Sequence, residues 1–320
     1  MDEFEIIERY FRPLGNEAPG VVLGIGDDAA VLEVQIDEQL VVTTDTQVES
    51  VHFPSGGPPR DIGYRSCATS LSDIAAMGAG ARWASLAVTM PGPEPAWLED
   101  FALGAAEALG DAGAVLIGGD TTAGPLVITW YIIGTAPVGA ALRRNGARKG
   151  DAVYVSGTLG DASAAVELAL FDESGHDESG QAVLDRYWHP RARFDLARIL
   201  CGRATSCIDV SDGLIADLTH VVRASRCGAE VEYSRIPISP ALSKLVGPER
   251  ARLLAATGGD DYELCFTVPV AGEPELVGIA REAGLRIARI GRMVSGNEVR
   301  IVGDSGAPID LGDRGYRHFD

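Results

Sequence analysis

Residues 24–31 read Gly-Ile-Gly-Asp-Asp-Ala-Ala-Val, lie between the apolar runs 21–23 and 31–32, and satisfy the dinucleotide pattern G-x-G-x-x-A. A loop that cradles a bare pyrophosphate offers backbone N–H groups and a helix N-terminus to the anion. Two carboxylates inside the turn, Asp27 and Asp28, repel such a ligand unless a cation lies between. The pattern match is therefore read as accidental, and the loop as one that faces phosphate through a divalent cation.

The chain has 320 residues, which suits roughly two domains of about 150 residues each. No run of roughly 18 apolar residues occurs. The opening MDEFEIIERYF is acidic and amphipathic where a secretory signal is basic and then apolar. A soluble, cytoplasmic protein without a membrane partner is expected. The five cysteines are scattered and lack C-x-x-C spacing, which argues against a disulfide framework and a structural zinc site. Net charge is −19, and of 27 basic residues only Lys149 and Lys244 are lysines, so no basic stripe is available to follow a nucleic acid. An anionic substrate is repelled at long range unless cations or local arginines reverse the field.

Strand-like and helix-like segments alternate, so the expected class is α/β with mixed sheets. In the first half EQLVVTTDT, ARWASLAVTM, AVLIGGD and GPLVITWYIIGTA read as strands. RDIGYRSCATSLSDIAAMGA and PAWLEDFALGAAEALGDAG read as helices. The basic, glycine-rich stretch GAALRRNGARKG marks a boundary, giving an N-terminal domain over 1–140, a linker over 141–150 and a C-terminal domain over 151–320. The second half repeats the style, with AEVEYSRIPI and LRIARIGRMV as strands, LIADLTHVVRASRCG as a helix, TLGDASAA as a turn and FDESGHDESG as a solvated loop.

Aspartates fall where apolar strands give way to Gly- or Thr-rich turns: Asp27, Asp45, Asp120, Asp209, Asp212, Asp260, with Asp73 in a helix-like stretch. Strand ends are where α/β proteins hold ligands. Aspartate also forms turns and caps helices, a role open to Asp28 and Asp212. Several carboxylates converging on one cleft repel one another unless multivalent cations sit among them. Oxygen ligands without Cys or His select Mg²⁺, Mn²⁺ or Ca²⁺ over zinc, and the hydroxyls of Thr43 and Thr44 add neutral oxygens. With no D-x-D-x-D-G loop, no P-loop and no kinase H-R-D or D-F-G, a Mg²⁺–phosphate site is favoured. Arg143 and Arg144 are the candidate charge-balancing arginines.

These words, GIGDDAAVL, TTDTQVESVHF, SDIAAMGA, IGGDTTAGP, RNGARKGD, DVSDGL and GGDDYELCFT, occur in one order from FEIIERYF to GYRHF. Over nearly the whole chain they resemble the thiamine-monophosphate kinase family, within the ATP-dependent superfamily typified by aminoimidazole ribonucleotide synthetase. The resemblance implies a two-domain α/β homodimer that transfers the γ-phosphoryl of ATP to thiamine monophosphate with several Mg²⁺. It implies metal ligation by Asp27, Thr43, Thr44, Asp45, Asp73, Asp120, Asp209 and Asp212, and ATP contacts from Gly119, Asp120, Arg144 and Ser211. It implies substrate contacts from His52, Asp260 and Tyr316. Asp260 departs from the usual Gly-Gly-Glu-Asp-Tyr-Glu-Leu, and its carboxylate reaches about 1.5 Å less far. The acceptor is a phosphate oxygen, already anionic near neutral pH, so no general base is expected. Aminoimidazole ribonucleotide synthetase and selenophosphate synthetase are the neighbouring readings. The latter needs a reactive residue in an N-terminal glycine-rich segment, whereas the first cysteine here is Cys67. A non-catalytic acidic cation-binding dimer explains the charge but not the arginines or the Thr-Thr-Asp turn.

Overall fold

In the computed structural model of the protein, the described residues are 1–15, 18–169, 176–312 and 315. The chain divides into two units, Met1–Ala75 with Ala79–Gly139, and Ala76–Gly78 with Ala140–Asp320.

The first unit begins with a short helix, α1 (Glu3–Ile6), held by a reciprocal cap in which Asp2 accepts from the Glu5 N–H and Glu5 accepts from the Asp2 N–H. The short antiparallel strands β1 (Val21–Leu23) and β2 (Val31–Leu32) flank the opening loop. There follow β3 (Glu38–Val48), α2 (Pro59–Ala76), β4 (Gly80–Met90), α3 (Pro95–Ala112), β5 (Val115–Ala123) and β6 (Val127–Pro137). The sheet runs β3-β6-β4-β5, antiparallel except for the β4–β5 pair. Period-two alternation gives it two unlike faces. Ile128, Trp130 and Ile132 are fully buried, and the Trp130 indole N–H donates to Ser66 Oγ of α2 at 3.1 Å. On the opposite face Leu40, Val42 and Tyr131 are about half exposed, at 52%, 54% and 50%.

Helices α2 and α3 meet backbone to backbone. A Cβ built on Gly63 lies 2.1 Å from Phe101 O, and one on Gly104 lies 1.8 Å from Arg60 O. Neither backbone oxygen is free to swing aside as a side chain can. Gly104→Ala is therefore expected to force the helices apart and lower stability by about 1–3 kcal/mol, read as a lower urea midpoint at unchanged m-value.

The second unit holds β7 (Ala152–Ser156), α4 (Asp161–Glu167), α5 (Glu178–Trp188), α6 (Phe194–Leu200), β8 (Ser206–Asp209), α7 (Leu214–Ser225), β9 (Gly228–Glu232), α8 (Pro240–Val246), α9 (Pro248–Thr257), β10 (Leu264–Val268), α10 (Glu273–Glu282), β11 (Ile287–Val294) and β12 (Val299–Val302). Its sheet runs β12-β9-β11-β7-β10-β8, with β12 parallel to β9 and the other pairs antiparallel. The apolar stripe of α7, Leu214, Ile215, Leu218, Val221 and Val222, joins Val153, Val155, Ile208 and Met293 in one core. That stripe is the one the helical spacing of this segment requires.

Three local expectations give way. The turn expected in TLGDASAA becomes α4 from Asp161 onward, because small residues with helical spacing pack Ala162, Ala164 and Ala165 fully inside. In FDESGHDESG, residues 171–175 lie outside the described residues, but the second acidic copy is no loop. Asp177 caps α5 by accepting from the N–H groups of Ser179 and Gly180, and both of those residues are buried. Capping satisfies first-turn donors, which turns an acidic small-residue run into a helix start. The strand expected over AEVEYSRIPI stops at Glu232 and passes into a single 3-10 turn, Tyr233–Arg235.

Candidate active site

The opening loop is followed by a strand, not a helix, so the Rossmann pattern lacks its anion-binding helix end and Asp28 caps nothing. The Arg12 guanidinium donates to the Ile25 carbonyl at 2.6 Å and forms a two-point pair with Glu8 at 2.6 and 2.7 Å. Gly26, at φ +123°, leaves room for it; a Cβ there would lie 2.7 Å from the guanidinium. The loop lines a cleft of about 790 Å³ that also receives Gly119 and Asp120 from β5 and Tyr131 from β6. Asp27, Asp28 and Asp120 are exposed there, and Asp27 Oδ1 accepts from the Asp28 N–H at 2.8 Å.

A second set lies under the same sheet. Thr43 Oγ1 donates to Asp73 Oδ2 at 2.6 Å, and Thr69 Oγ1 donates to Asp45 Oδ2 at 3.2 Å, which ties β3 to α2. Thr44 alternates to the other face, opposite Tyr131 in register. By the same register Asp120 shares the outer face with Ala87, Thr129 and Thr46. Asp45 and Asp120 thus occupy opposite faces of the outermost strands, three inter-strand spacings apart, or about 14 Å. His52 sits just after β3; its Nδ1 accepts from the Val48 N–H at 3.0 Å, so the neutral ring carries its proton on Nε2.

In the second unit DVSDGL and GGDDYEL are stitched together. The N–H of Asp260 donates to Ser211 O, and that of Tyr262 to Val210 O, each at 2.8 Å. The turn Ser211–Gly213 is shaped by Asp217, a residue the sequence reading passed over. Its Oδ2 accepts from the N–H groups of Ser211, Asp212 and Gly213 at 3.0, 3.1 and 3.1 Å. Asp212 is therefore not the cap of α7; that position is Gly213. Burial, and then the charges of Asp209 and Asp212, push the Asp217 carboxyl up to about 8, against the backbone N–H bonds that pull it down.

Beside Asp212 a cleft of about 1050 Å³ is lined by Thr219, His220, Arg223 and Arg226. Burial, then the charges of Arg144 and Arg223, lower the His220 pKa, while the Asp212 charge opposes them. Tyr316 lies outside the described residues.

Among the described residues no three His, Cys, Asp or Glu side chains are grouped to hold one ion. The donors are nonetheless the right kind. All are oxygens, and the crowding of Asp209, Asp212 and Asp217 is the sort a divalent cation relieves. Mg²⁺ takes one or two carboxylates and fills its remaining positions with water and phosphate oxygens.

The glycine-rich turns, oxygen donors and paired α/β units have known counterparts. Residues 26–140 match the AIR synthase related protein N-terminal domain, and residues 148–304 the AIR synthase related protein C-terminal domain. The thiamine-monophosphate kinase of Escherichia coli K12 is 41% identical over 318 residues, covering 99% of this chain and 98% of that protein. The chain belongs to the thiamine-monophosphate kinase family. The crystal structure of that kinase from Stenotrophomonas maltophilia K279a superposes with a TM-score of 0.88 at 40% identity, covering 96% of this chain and 98% of that one. AaThiL complexed with AMPPCP and TMP superposes with a TM-score of 0.78 at 28% identity, covering 99% of this chain and 97% of that one.

Proposed function

We propose that this protein phosphorylates thiamine monophosphate to thiamine diphosphate by direct in-line transfer of the γ-phosphoryl of ATP, assisted by several Mg²⁺ ions. The observation that carries the reading is the stitching of DVSDGL to GGDDYEL, which puts candidate nucleotide residues and a candidate substrate carboxylate on one turn pair. The 41% identity to a named thiamine-monophosphate kinase over nearly the full chain supports it, as does the likeness to a structure solved with AMPPCP and TMP.

In this reading Asp27, Asp45, Asp73, Asp120, Asp209 and Asp212, with Thr43 and Thr44, hold the cations, and His52, Asp260 and Tyr316 hold the substrate. Bound there, Mg²⁺ supplies charge neutralisation between two phosphates that otherwise repel. Gly119 and Ser211 contact the nucleotide, and Arg144 balances its charge. The acceptor oxygen needs no proton removed, so these side chains act by positioning and by their fields. The division is residues 1–140, linker 141–150 and 151–320, and the location is cytoplasmic; among the described residues no helix is long and apolar enough to cross a membrane.

A homodimer belongs to the same reading. Asp45 and Asp120 are too far apart within one protomer to share an ion. A second copy laid against the face that carries Leu40, Val42 and Tyr131 buries that apolar surface, the face on which Thr44 and Asp120 also lie.

The test is formation of thiamine diphosphate from thiamine monophosphate, ATP and Mg²⁺, with free thiamine as control. Product from the monophosphate alone is expected; product from free thiamine alone overturns the substrate assignment. His52→Ala is expected to raise KM for thiamine monophosphate about ten-fold while KM for ATP stays nearly unchanged. Equal losses toward both substrates count against the role given to His52.

A further inference from the structure

The turn Gly259–Glu263 carries more strain and more anchorage than a connection between α9 and β10 requires. Asp260 sits at φ +70° and Tyr262 at φ +53°, two non-glycine residues in the left-handed region within three positions. Each such residue is unfavourable, the more so for a bulky aromatic, and persists only where the surroundings over-determine it. Four anchors do so here. Asp260 and Tyr262 donate their N–H groups to Ser211 O and Val210 O. The buried Asp261 carboxylate accepts from the Gly160 N–H at 3.0 and 2.8 Å. Glu263, fully buried, is gripped by Ser156, Arg186 and Arg193.

The product of this strain is a specific contact. Tyr262 turns back over the loop and its hydroxyl donates to Asp260 Oδ1 at 3.0 Å. Both partners of this contact, two residues apart in sequence, are left-handed residues. The hydrogen bond restricts the torsion of a side chain one methylene shorter than the glutamate the family pattern carries.

We propose that Tyr262 is a positioning residue that fixes the Asp260 carboxylate for the cationic, hydrogen-bond-donating thiamine portion of the substrate, and so sets affinity for that portion without entering phosphoryl transfer. This rests on the reading of the site as a thiamine monophosphate site. The strained turn is the mechanism: the backbone holds the tyrosine where its hydroxyl restricts the Asp260 side chain.

Steady-state kinetics on the full chain, with thiamine monophosphate and ATP varied in turn, test it. Wild-type turnover of thiamine monophosphate comes first, and its absence overturns the functional reading and this inference together. With turnover established, Tyr262→Phe is expected to raise KM for thiamine monophosphate about five- to ten-fold, with kcat and KM for ATP within about two-fold of wild type. The double variant Tyr262→Phe, Asp260→Asn is expected to be no worse than Asp260→Asn alone, because the hydroxyl acts through that carboxylate. A purely structural role lowers kcat and both affinities together. An unchanged KM in Tyr262→Phe, a parallel loss toward ATP, or additive effects in the double variant overturns the proposal while leaving the activity assignment intact. If Tyr262→Phe folds poorly, Asp260→Asn serves, since its amide oxygen still accepts from the Tyr262 hydroxyl: KM for thiamine monophosphate is expected to rise with kcat and KM for ATP near wild type, and a parallel loss toward ATP overturns the proposal.

Discussion

Asp45→Asn is expected to lower turnover of thiamine monophosphate by at least about 100-fold, and Asp73→Asn to do the same. Asp45 accepts from the Thr69 hydroxyl and Asp73 from the Thr43 hydroxyl, bonds that an amide oxygen accepts equally well. Each substitution therefore keeps the side-chain shape and the tie between β3 and α2 and removes only the charge. Any fall in rate then reports lost cation binding or lost neutralisation, not unfolding. The measurement is thiamine diphosphate formation at saturating ATP across a Mg²⁺ titration, with thermal melting alongside. Partial recovery at high Mg²⁺ marks weakened affinity for the ion. A kcat near the wild-type value at saturating Mg²⁺ sinks the proposed role of these carboxylates.

The second large effect is on stability. Glu263 is wholly buried between two guanidinium groups, with Arg186 Nη2 on Oε1 and Arg193 Nε on Oε2, each at 2.7 Å, and Ser156 Oγ closing the set. Burial alone pulls the Arg186 pKa down, but the charges of Glu263 and Asp261 outweigh it and hold the guanidinium charged. Glu263→Ala removes the anion and leaves two part-buried cations facing each other across a cavity. Breaking a buried pair from one side typically costs about 3–5 kcal/mol, well beyond the worth of a surface pair. The predicted outcome is a large fall in the urea midpoint, and a change under about 1 kcal/mol shows that water reaches the pair. Glu263→Gln separates charge from shape: it keeps the hydrogen bonds to one guanidinium and is expected to lose less than Glu263→Ala.

Much of the architecture was legible because period and punctuation agree. The run Val41–Thr46 is rich in β-branched residues, as strands are, though only its burial in the folded sheet alternates, and Leu214–Val222 repeats every three to four residues as a buried helix face does. The site was legible only in part. Glycine and aspartate marked the turns at Asp27, Asp212 and Asp260, but Asp45 and Asp120, expected at strand ends, lie inside β3 and β5 and on opposite faces of the sheet, and spacing along one strand says nothing about which strands lie between. Asp217 was hidden because it sits in the first turn of an amphipathic helix, where an acidic residue is ordinary. Its one signal was a charge on the stripe that Leu214 and Leu218 commit to the core. Glu263 was hidden just before the apolar strand LCFTV, since its partners Arg186 and Arg193 lie 77 and 70 residues upstream. The helix start at Asp177 was missed for a compositional reason: acidic, small residues resemble solvated chain until one of them is seen to accept from the next turn.

Asp217 also decides what kind of molecule can block this turn. Its single oxygen already takes the N–H groups of Ser211, Asp212 and Gly213, the same three donors that an anion-binding loop offers to a phosphate. A sulfonate or phosphonate designed to dock on those amides finds them spent, and finds Asp209 and Asp212 beside them. A competitive inhibitor for this end of the molecule therefore has to arrive as a metal chelate or carry a positive group of its own.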